Sequence, residues 1–516
     1  MIRKQRTTSV TKEWTRLFRG MLRKAQFGIL VYAFVYTLGY FGYTVPLAGF
    51  FFCLGILFFK NQLIRFLKKG IQMLYAHKKW VMLAAFIFQI LLLLSAKLLI
   101  RRDAAVVFTG AFHYLPSSSI SAYITRNPNN LFLFLYQRLF YNLFGKEALG
   151  LLLGLNIFYI HSYTWLMDRL ALRHFNQSTA QYAFSFNMLL IGFTPLFLTL
   201  YTDVLALPLL ALQVELALKL LKARNMQGIW KVSSVLGLLS GIIYLIRPTG
   251  LILPIALLLS MFLQKRWHHS VLFLSVFMVS LASVSLISQE IKQHQKEIKI
   301  IKGAGLAKTP LAFIDLGLTH SGTDQADFKD GLLQYVNKDK RNQYNNGMFN
   351  QKFVIAEIKR RLSDFTVLSF TQHLLIKLGN TFRQGNFGWT YYENLKKEKT
   401  PFVSPLYPYL KPSPIFKTIR YLLISVDTKP YKVTFSFLQI IWLLLLIGLF
   451  FSAGKSFPLS DQTDFLHLAI FGGLLFLMIF EGGKARYLLQ FFPQILLLAS
   501  LGLQSRSRHN IDIKSS

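Results

Sequence analysis

The sequence predicts an all-α polytopic membrane protein with about 12 transmembrane helices. Hydrophobic residues make up 53% of the 516 residues and charged residues only 16%, whereas an average soluble protein is about 25% charged. The stretches 80–100, 180–200 and 435–451 carry scarcely a charge. Each is close to the ~20 apolar residues that a helix needs to cross a bilayer. This composition excludes an ordinary soluble multidomain enzyme.

The charge balance points to a membrane surface as well. The chain has 58 Lys and Arg against 22 Asp and Glu, which gives a net charge of +36. Most of the basic residues lie in short segments between apolar runs, as expected for cytoplasmic loops that face anionic lipids. Anionic lipids are therefore predicted partners and nucleic acid is not. Cys53, the single cysteine, excludes an intrachain disulfide and a cysteine-based metal cluster.

Basic loops set the predicted topology. Residues 1–25 carry eight basic side chains and one acidic one, and 60–79 carry six basic side chains and no acid, so both segments are expected in the cytoplasm. The chain is then a multi-pass protein of the cell membrane with both termini cytoplasmic. The predicted spans are 26–43, 46–59, 80–100, 147–167, 179–200, 201–221, 230–246, 249–264, 269–288, 434–452, 463–480 and 487–503.

The segment 129–144 is apolar but short, and Arg138 lies near its middle. We predict an amphipathic helix at the outer leaflet. A membrane crossing is the alternative, but it would turn three later basic loops outward, against the charge rule.

Four regions follow from this topology. Residues 1–79 hold a basic N-terminus and two helices, and 80–288 form a transmembrane core with an outer loop at 101–146. The polar segment, defined here as residues 289–433, is predicted to be an external α-rich domain, with an α/β fold as the alternative. Residues 434–516 hold the last spans and a cytoplasmic tail. Helical pieces of the polar segment are predicted at 330–336, 353–362 and 366–377.

Ionisable side chains gather at the predicted outer ends of the spans, where burial is costly and function is the default interpretation. Carboxylates suit general base catalysis or sugar binding, and Arg or Lys suits phosphate. Structural roles are the alternatives, such as a helix N-cap for Asp203, lipid contact for Arg247, or mutual pairing of Glu481 and Lys484. The four stretches are Asp103, Tyr201–Asp203, Arg247–Thr249 and Glu481–Tyr487.

Several signatures are missing from the sequence. It has no Gly-rich phosphate loop with its lysine and no His-Glu-x-x-His helix, so ATP-driven transport and a zinc site are not indicated. Asp103 and Asp203 are compatible with a divalent metal but are too few ligands to indicate one. No cofactor is established by the sequence.

The order of these motifs resembles a known superfamily. They are Asp103–Val107, Arg126–Asn130, Tyr201–Asp203, Arg247–Thr249 and Lys484–Tyr487. The pattern is similar to integral membrane glycosyltransferases of the GT-C superfamily, such as protein O-mannosyltransferases and the aminoarabinose transferase of lipid A, and is closest to members from Gram-positive bacteria. The likeness covers about 80–505. Asn127 replaces an expected aromatic residue, only one acid follows the third span, and the two helices within 26–59 are additional.

The resemblance implies a GT-C-like fold and transfer of a sugar from a polyprenyl-phosphate monosaccharide to an acceptor on the outer face. The acceptor would be a cell-envelope glycopolymer, such as a cell wall polysaccharide, or a protein, and the reaction would invert the anomeric centre. Asp103 is the predicted general base. A transporter or flippase of lipid-linked sugar, and a polysaccharide polymerase or ligase, are the alternatives. The remaining predicted roles are Asp203 as a second catalytic residue, Arg247, Arg486 and Lys484 as phosphate ligands, and Tyr201, Asn129, Asn130, Glu481 and Tyr487 as substrate-binding residues. Trp389, Tyr391 and Tyr392 are predicted as an aromatic acceptor surface, with ordinary packing as the alternative.

Overall fold

The computed structural model describes residues 2–100, 102–389, 391–393, 401–403, 406–454, 457–458 and 460–515, and most of this length is helical. The helices are α1 (Ile2–Thr44), α2 (Pro46–Ala76), α3 (Lys78–Ser95), α4 (Arg102–Ala111), α5 (Ser117–Arg126), α6 (Leu131–Phe144), α7 (Ala148–His174), α8 (Gln177–Asn187), α9 (Thr202–Lys222), α10 (Met226–Ile246), α11 (Ile252–Leu263), α12 (Trp267–His294), α13 (Pro310–Gly317), α14 (Gln325–Leu333), α15 (Gln351–Ser363), α16 (Val367–Phe382), α17 (Tyr407–Leu410), α18 (Pro414–Ile419), α19 (Tyr431–Ala453), α20 (Asp461–Ile479) and α21 (Phe492–Ser515). Strands β1 (Lys97–Leu99) and β2 (Pro401–Val403) form one short antiparallel ribbon.

Ten helical stretches within this described length are long and apolar enough to cross a membrane. They are Leu17–Thr44, Pro46–Ala76, Lys78–Ser95, Pro128–His174, Thr202–Lys222, Met226–Ile246, Trp267–His294, Tyr431–Ala453, Asp461–Ile479 and Ala485–Ser505. The predicted spans 179–200 and 249–264 are not among them. The first is broken after α8, and the second holds a shorter apolar helix, Pro248–Leu263. The polytopic α-helical class is confirmed, while twelve crossings stay a prediction.

The break after α8 exposes backbone groups inside the bundle, and other helices satisfy them. The chain forms a π turn at Met188–Gly192 and then a 3-10 turn at Pro195–Leu198 before α9 begins. Carbonyls freed in a buried helix break need protein donors, because water is absent there. Three side-chain amides supply them. The donors and their carbonyl acceptors are Gln89 to Gly192 (2.9 Å), Asn156 to Phe197 (2.8 Å) and Thr199 (3.1 Å), and Gln137 to Leu200 (3.3 Å).

The first helix is fixed to the rest of the bundle. α1 packs against α19, α16 and α20. Arg19 pairs with Asp461 at 2.9 Å and Arg23 with Asp464 at 3.3 Å. Both carboxylates lie in the first turn of α20, so α1 holds that end of α20 in place.

The second helix corrects a prediction. Residues 60–79, expected to be a return loop, continue α2 as far as Ala76, with non-helical backbone angles at Phe59 (φ −118°, ψ 19°). The basic residues are tolerated because Lys and Arg are good helix formers. The charge pattern identified the basic stretch but not its helical conformation.

Helix α6 takes the place of the predicted interfacial helix at 129–144. A 3-10 turn at Pro128–Asn130 leads into it, and Gly145 (φ +58°) separates it from the next turn. Arg138 in its apolar middle is only 5% exposed. This guanidinium donates to a backbone carbonyl of α4 at 2.8 Å and pairs with Glu297 at 3.4 Å, so protein groups satisfy its charge.

The polar segment contains the three predicted helical pieces, as α14, α15 and α16, although α14 lies nearer the N-terminus than predicted. Helices α13, α14 and α15 enclose a small core of their own that includes Leu316, Phe328 and Leu332. Arg361 of α15 is nearly buried and contacts three carboxylates at 2.9 Å each, those of Asp315, Asp327 and Glu357. The described part of this segment is helical apart from β2 and its loops.

A buried lysine joins the polar segment to the bundle. Lys377 of α16 is 0% exposed, and burial lowers the pKa of its ammonium to about 8. Its Nζ donates to the carbonyl oxygens of Gly317 (2.8 Å), Met478 (2.8 Å) and Phe480 (3.0 Å). The last two are orphan carbonyls at the end of α20, so Lys377 caps that helix and ties it to α13.

Replacing Lys377 by Met is expected to leave the carbonyls of Met478 and Phe480 without this donor, while the Gly317 carbonyl keeps its contact with His373 Nε2 at 3.0 Å. This should lower the free energy of unfolding by about 2 kcal/mol, the range for unsatisfied buried groups. The midpoint of thermal unfolding of the detergent-solubilised protein measures the effect. Lys352→Met on the exposed surface of α15 is the control, and equal midpoints for the two variants would show that the three contacts contribute nothing.

Candidate functional site

Most of the predicted site residues meet at one end of the bundle, where the polar segment lies. The elements that bring them together are the start of α4, the turn before α6, the start of α9, the end of α10 and the loop between α20 and α21. Five separate parts of the chain therefore build one polar site.

Asp103 lies in the first turn of α4, directly after Arg102, whose φ is +56°. A positive φ at a residue other than glycine is a strained conformation that clusters at functional sites. The side chain of Asp103 is exposed, and its Oδ1 accepts a hydrogen bond from the hydroxyl of Tyr123 at 2.9 Å. One carboxylate oxygen is thus held while the residue as a whole stays accessible.

A chain of hydrogen bonds leads from Asp103 into the bundle. Tyr123 donates to Asp103, Asn130 Nδ2 donates to the Tyr123 hydroxyl at 2.8 Å, and the Tyr201 hydroxyl donates to Asn130 Oδ1 at 3.0 Å. All three bonds point toward the carboxylate. Burial raises the pKa of both phenols, and the negative charge of Asp103 is the second cause. The two tyrosines therefore remain protonated donors at neutral pH.

Asp203 and Arg247 form a buried ion pair. Asp203 is 4% exposed and Arg247 is 9% exposed. An Arg247 Nη contacts the Asp203 carboxylate, and Arg247 Nε donates to Thr202 Oγ1 at 3.2 Å. Arg247 precedes Pro248, which favours extended backbone, and its φ of −147° and ψ of 103° end α10 here. Asp203, predicted as a second catalytic residue, is in this structure the counter-ion of Arg247.

Glu481 and Lys484 also neutralise each other. Lys484 Nζ donates to Glu481 Oε1 at 2.6 Å across a turn that contains Gly483 at φ +74°. Burial of Glu481 acts to raise its pKa, but Lys484, together with Tyr487 and Arg486, holds the pKa below the usual value. The predicted alternative of mutual pairing is therefore what the structure shows for these two residues.

Arg486 differs from the other two cations because it lacks a carboxylate partner. None of the carboxylates in the described ranges forms an ion pair with it within 4 Å. Its guanidinium lies 5.7 Å from the ring centre of Tyr201 and 5.3 Å from that of Tyr487. Its buried Nε has no hydrogen-bond partner. This arginine keeps both charge and hydrogen-bonding capacity for an anion.

Two predicted positions lie apart from this network. Asn129 is exposed and does not belong to the hydrogen-bond chain, in contrast to Asn130, which is 3% exposed. Tyr391 is 1% exposed and belongs to the main hydrophobic core. The aromatic acceptor surface predicted around it is therefore wrong for Tyr391, where packing accounts for the ring.

Three site residues escaped prediction: Tyr123, Arg126 and Lys308. Tyr123 had no distinguishing neighbour in the sequence. Arg126 stands in the quoted Arg126–Asn130 motif but received no role. Lys308 reaches the site through the fold, since its N–H donates to the carbonyl of Arg126 at 3.0 Å. Among described residues, no group of three or more His, Cys, Asp or Glu side chains is arranged to hold a metal ion.

Comparison with known families agrees with the membrane assignment. A family model described as a conserved hypothetical integral membrane protein matches residues 39–507. The chain belongs to this family. The match includes α2, one of the two helices predicted to be additional to the shared core. No curated protein and no solved structure matches the chain.

Removing one member of the Asp203–Arg247 pair is expected to lower the free energy of unfolding strongly. Arg247→Met leaves a buried carboxylate without its counter-ion, which typically costs about 3–5 kcal/mol. The double variant Asp203→Asn/Arg247→Gln should lose less stability than Arg247→Met, because no uncompensated charge remains. Thermal unfolding in detergent measures both. Arg173→Met is the control, because the exposed Arg173 is only one of three basic residues around Glu215. A double variant less stable than Arg247→Met would contradict the pairing.

Proposed function

We propose that the protein is a membrane glycosyltransferase that moves a sugar from a polyprenyl-phosphate monosaccharide to a hydroxyl of an envelope glycopolymer or protein, at the outer face of the membrane. One observation carries the proposal. An accessible carboxylate, Asp103, is connected by oriented hydrogen bonds to Tyr201, whose ring lies beside the unpaired cation Arg486. A base and a phosphate-binding cation are thus held by one network.

Asp103 acts in this proposal as the general base. The acceptor oxygen attacks the anomeric carbon, the bond from that carbon to the phosphate oxygen breaks, and the acceptor proton passes to Asp103. A single displacement of this kind inverts the anomeric centre. Tyr123 holds Oδ1, so Oδ2 faces the acceptor. A positioned base of this kind typically contributes about 10²–10⁴-fold to the rate.

Arg486 is the main ligand of the donor phosphate. Negative charge grows on the phosphate oxygen as it leaves, and a preorganised cation in a site sheltered from water stabilises that charge strongly. The planar guanidinium can pair with two phosphate oxygens at once. Arg247 and Lys484 contribute less net charge than predicted, since Asp203 and Glu481 already balance them. Their role is to shape the field around Arg486 and to hold the surrounding turns.

The position of Arg486 suits a lipid-linked donor. Arg486 stands at the start of the apolar stretch Ala485–Ser505, and Arg247 at the end of Met226–Ile246. Helix ends of this kind lie at the level of the lipid headgroups, where the phosphate of a membrane-anchored donor also lies. The isoprenoid chain would then extend along the spans while its sugar faces Asp103.

A transporter of the same lipid-linked sugar is the rival. Transporters use broken helices whose free backbone groups line a substrate cavity, and the segment from 188 to 201 is a broken helix. Its carbonyls, however, are occupied by Gln89, Gln137 and Asn156. The break therefore serves to place Tyr201 at the site and favours the transferase.

Asp103→Asn tests the proposal. The amide keeps the size of the side chain but cannot accept the proton, so transfer is expected to fall about 100-fold or more. The sugar composition of the envelope polymers and the level of lipid-linked sugar measure it, with the protein shown to be present at its normal level. A lost substituent with accumulated donor fits the transferase.

The control for this test is Asp339→Asn, an exposed acid of the polar segment, which should leave the polymers unchanged. Unaltered polymers in the Asp103→Asn strain would overturn the role of Asp103 as base and favour transport. A change in polymer length alone would favour a polymerase or ligase.

A further inference from the structure

A second pair of cations stands on the side of Asp103 that faces the polar segment. Arg126 ends α5, and Lys308 lies just before α13. Their backbones are joined by the hydrogen bond from Lys308 N–H to the Arg126 carbonyl at 3.0 Å. The pair is therefore a fixed feature of the fold.

Aromatic rings of the polar segment hold both side chains. The guanidinium of Arg126 lies 4.5 Å from the ring centre of Tyr344 and 5.1 Å from that of Phe349. The ammonium of Lys308 lies 5.9 Å from the same Phe349 ring and 6.0 Å from that of Phe328. One ring thus contacts both cations, which keeps two like charges close together. Cation–π contacts orient a cation without neutralising its charge.

No carboxylate of the described residues forms an ion pair with Arg126 or Lys308 within 4 Å. Burial lowers the pKa of the Lys308 ammonium, although Asp103 and Glu481 nearby act in the opposite direction. Two cations held close together without a directly paired carboxylate repel each other, and an anion bound between them would relieve that repulsion.

The pair adjoins the proposed base. Tyr123 and Arg126 are three residues apart on α5, a spacing that places two side chains on the same face of a helix. Tyr123 is the residue that donates to Asp103. The charge of Asp103 also acts on the ammonium of Lys308, so the pair adjoins Asp103 at one end of the hydrogen-bond chain, whereas Arg486 lies beside Tyr201 at the other end.

We propose that Arg126 and Lys308 bind an oxyanion of the acceptor, so that the acceptor is an anionic glycopolymer carrying phosphodiester or carboxylate groups. The inference rests on the proposed function, because it assigns the substrate of the same site. A donor monophosphate needs one cationic site, and Arg486 supplies it at the helix ends. The second site is formed by the end of α5 and the loop before α13, beside Asp103. Binding its anion there places a neighbouring hydroxyl beside Asp103.

Binding to the purified full-length protein in neutral detergent tests the proposal without requiring turnover. The acceptor probes are a glycerol-phosphate oligomer, an oligogalacturonate and an uncharged maltooligosaccharide of matched length. Geranyl phosphate is the donor probe. Wild-type protein is expected to bind at least one anionic oligomer about tenfold or more tighter than the neutral one, and added salt should weaken that binding by screening. The oligomer that binds identifies the anion as phosphate or carboxylate.

Variants separate the two cationic sites. Arg126→Gln/Lys308→Gln should weaken binding of the anionic oligomer about tenfold, the effect of losing charge-assisted hydrogen bonds, and leave geranyl phosphate unaffected. Arg486→Gln should do the reverse. The matched control Lys302→Gln/Lys338→Gln removes two exposed charges of the polar segment and should change neither.

The outcomes are distinct. Equal binding of charged and neutral oligomers by wild-type protein overturns the proposal even if the double variant does not fold. A loss in the control equal to that in Arg126→Gln/Lys308→Gln overturns a specific site, and weaker geranyl phosphate binding by Arg126→Gln/Lys308→Gln assigns the pair to the donor. Asp103→Asn should keep oligomer binding. Failure of the transferase function therefore appears only in the polymer analysis, whereas failure of this inference appears in the binding data.

Discussion

The direction of the hydrogen bonds between Tyr201 and Asp103 is the constraint on which the site depends. Each phenol has one proton, and in this chain each proton is committed toward the carboxylate. The amide of Asn130 fits between them only with its nitrogen toward Tyr123 and its oxygen toward Tyr201. The chain therefore fixes the rotamers of residues from α4, α5, the turn before α6 and the start of α9. The chain ends on Asp103, an exposed residue whose carboxylate accepts the last hydrogen bond.

The irregular backbone before Tyr201 allows its hydroxyl to reach Asn130. A continuous helix through 188–201 would carry that residue around the helix axis and away from Asn130. Breaking the helix costs carbonyl hydrogen bonds in an environment without water, and this cost is offset by amides from α3, α6 and α7. Buried Gln and Asn side chains in otherwise apolar helices thus have a structural role at a distance from the site. They bond the carbonyls of the segment that leads to Tyr201 and to the start of α9.

The fold class and the positions of the ionisable residues were predictable from the sequence, because both depend on apolar runs and on the charges at their ends. The order Asp103, Asp203, Arg247 and Arg486 at one end of the bundle follows from counting alternate span ends. Their pairing does not follow. Asp203 contacts Arg247 across 44 residues, and nothing local distinguishes it from an available base. Lys308 meets Arg126 through the path of a long loop, and the helical course of 60–76 was hidden because basic residues suit helices and loops alike. Contacts between residues distant in sequence depend on tertiary packing, which hydropathy and charge do not encode.

Side chains from other parts of the chain bind both ends of helix α20. Arg19 and Arg23 hold its first turn, and Lys377 holds the carbonyls at its last turn. A helix fixed in this way cannot slide along its axis or rotate without breaking buried polar contacts. The loop that follows it, with Glu481, Lys484 and Arg486, is therefore attached to a helix whose position is fixed. The position of Arg486 relative to α20 is thus set by contacts that lie at both ends of that helix.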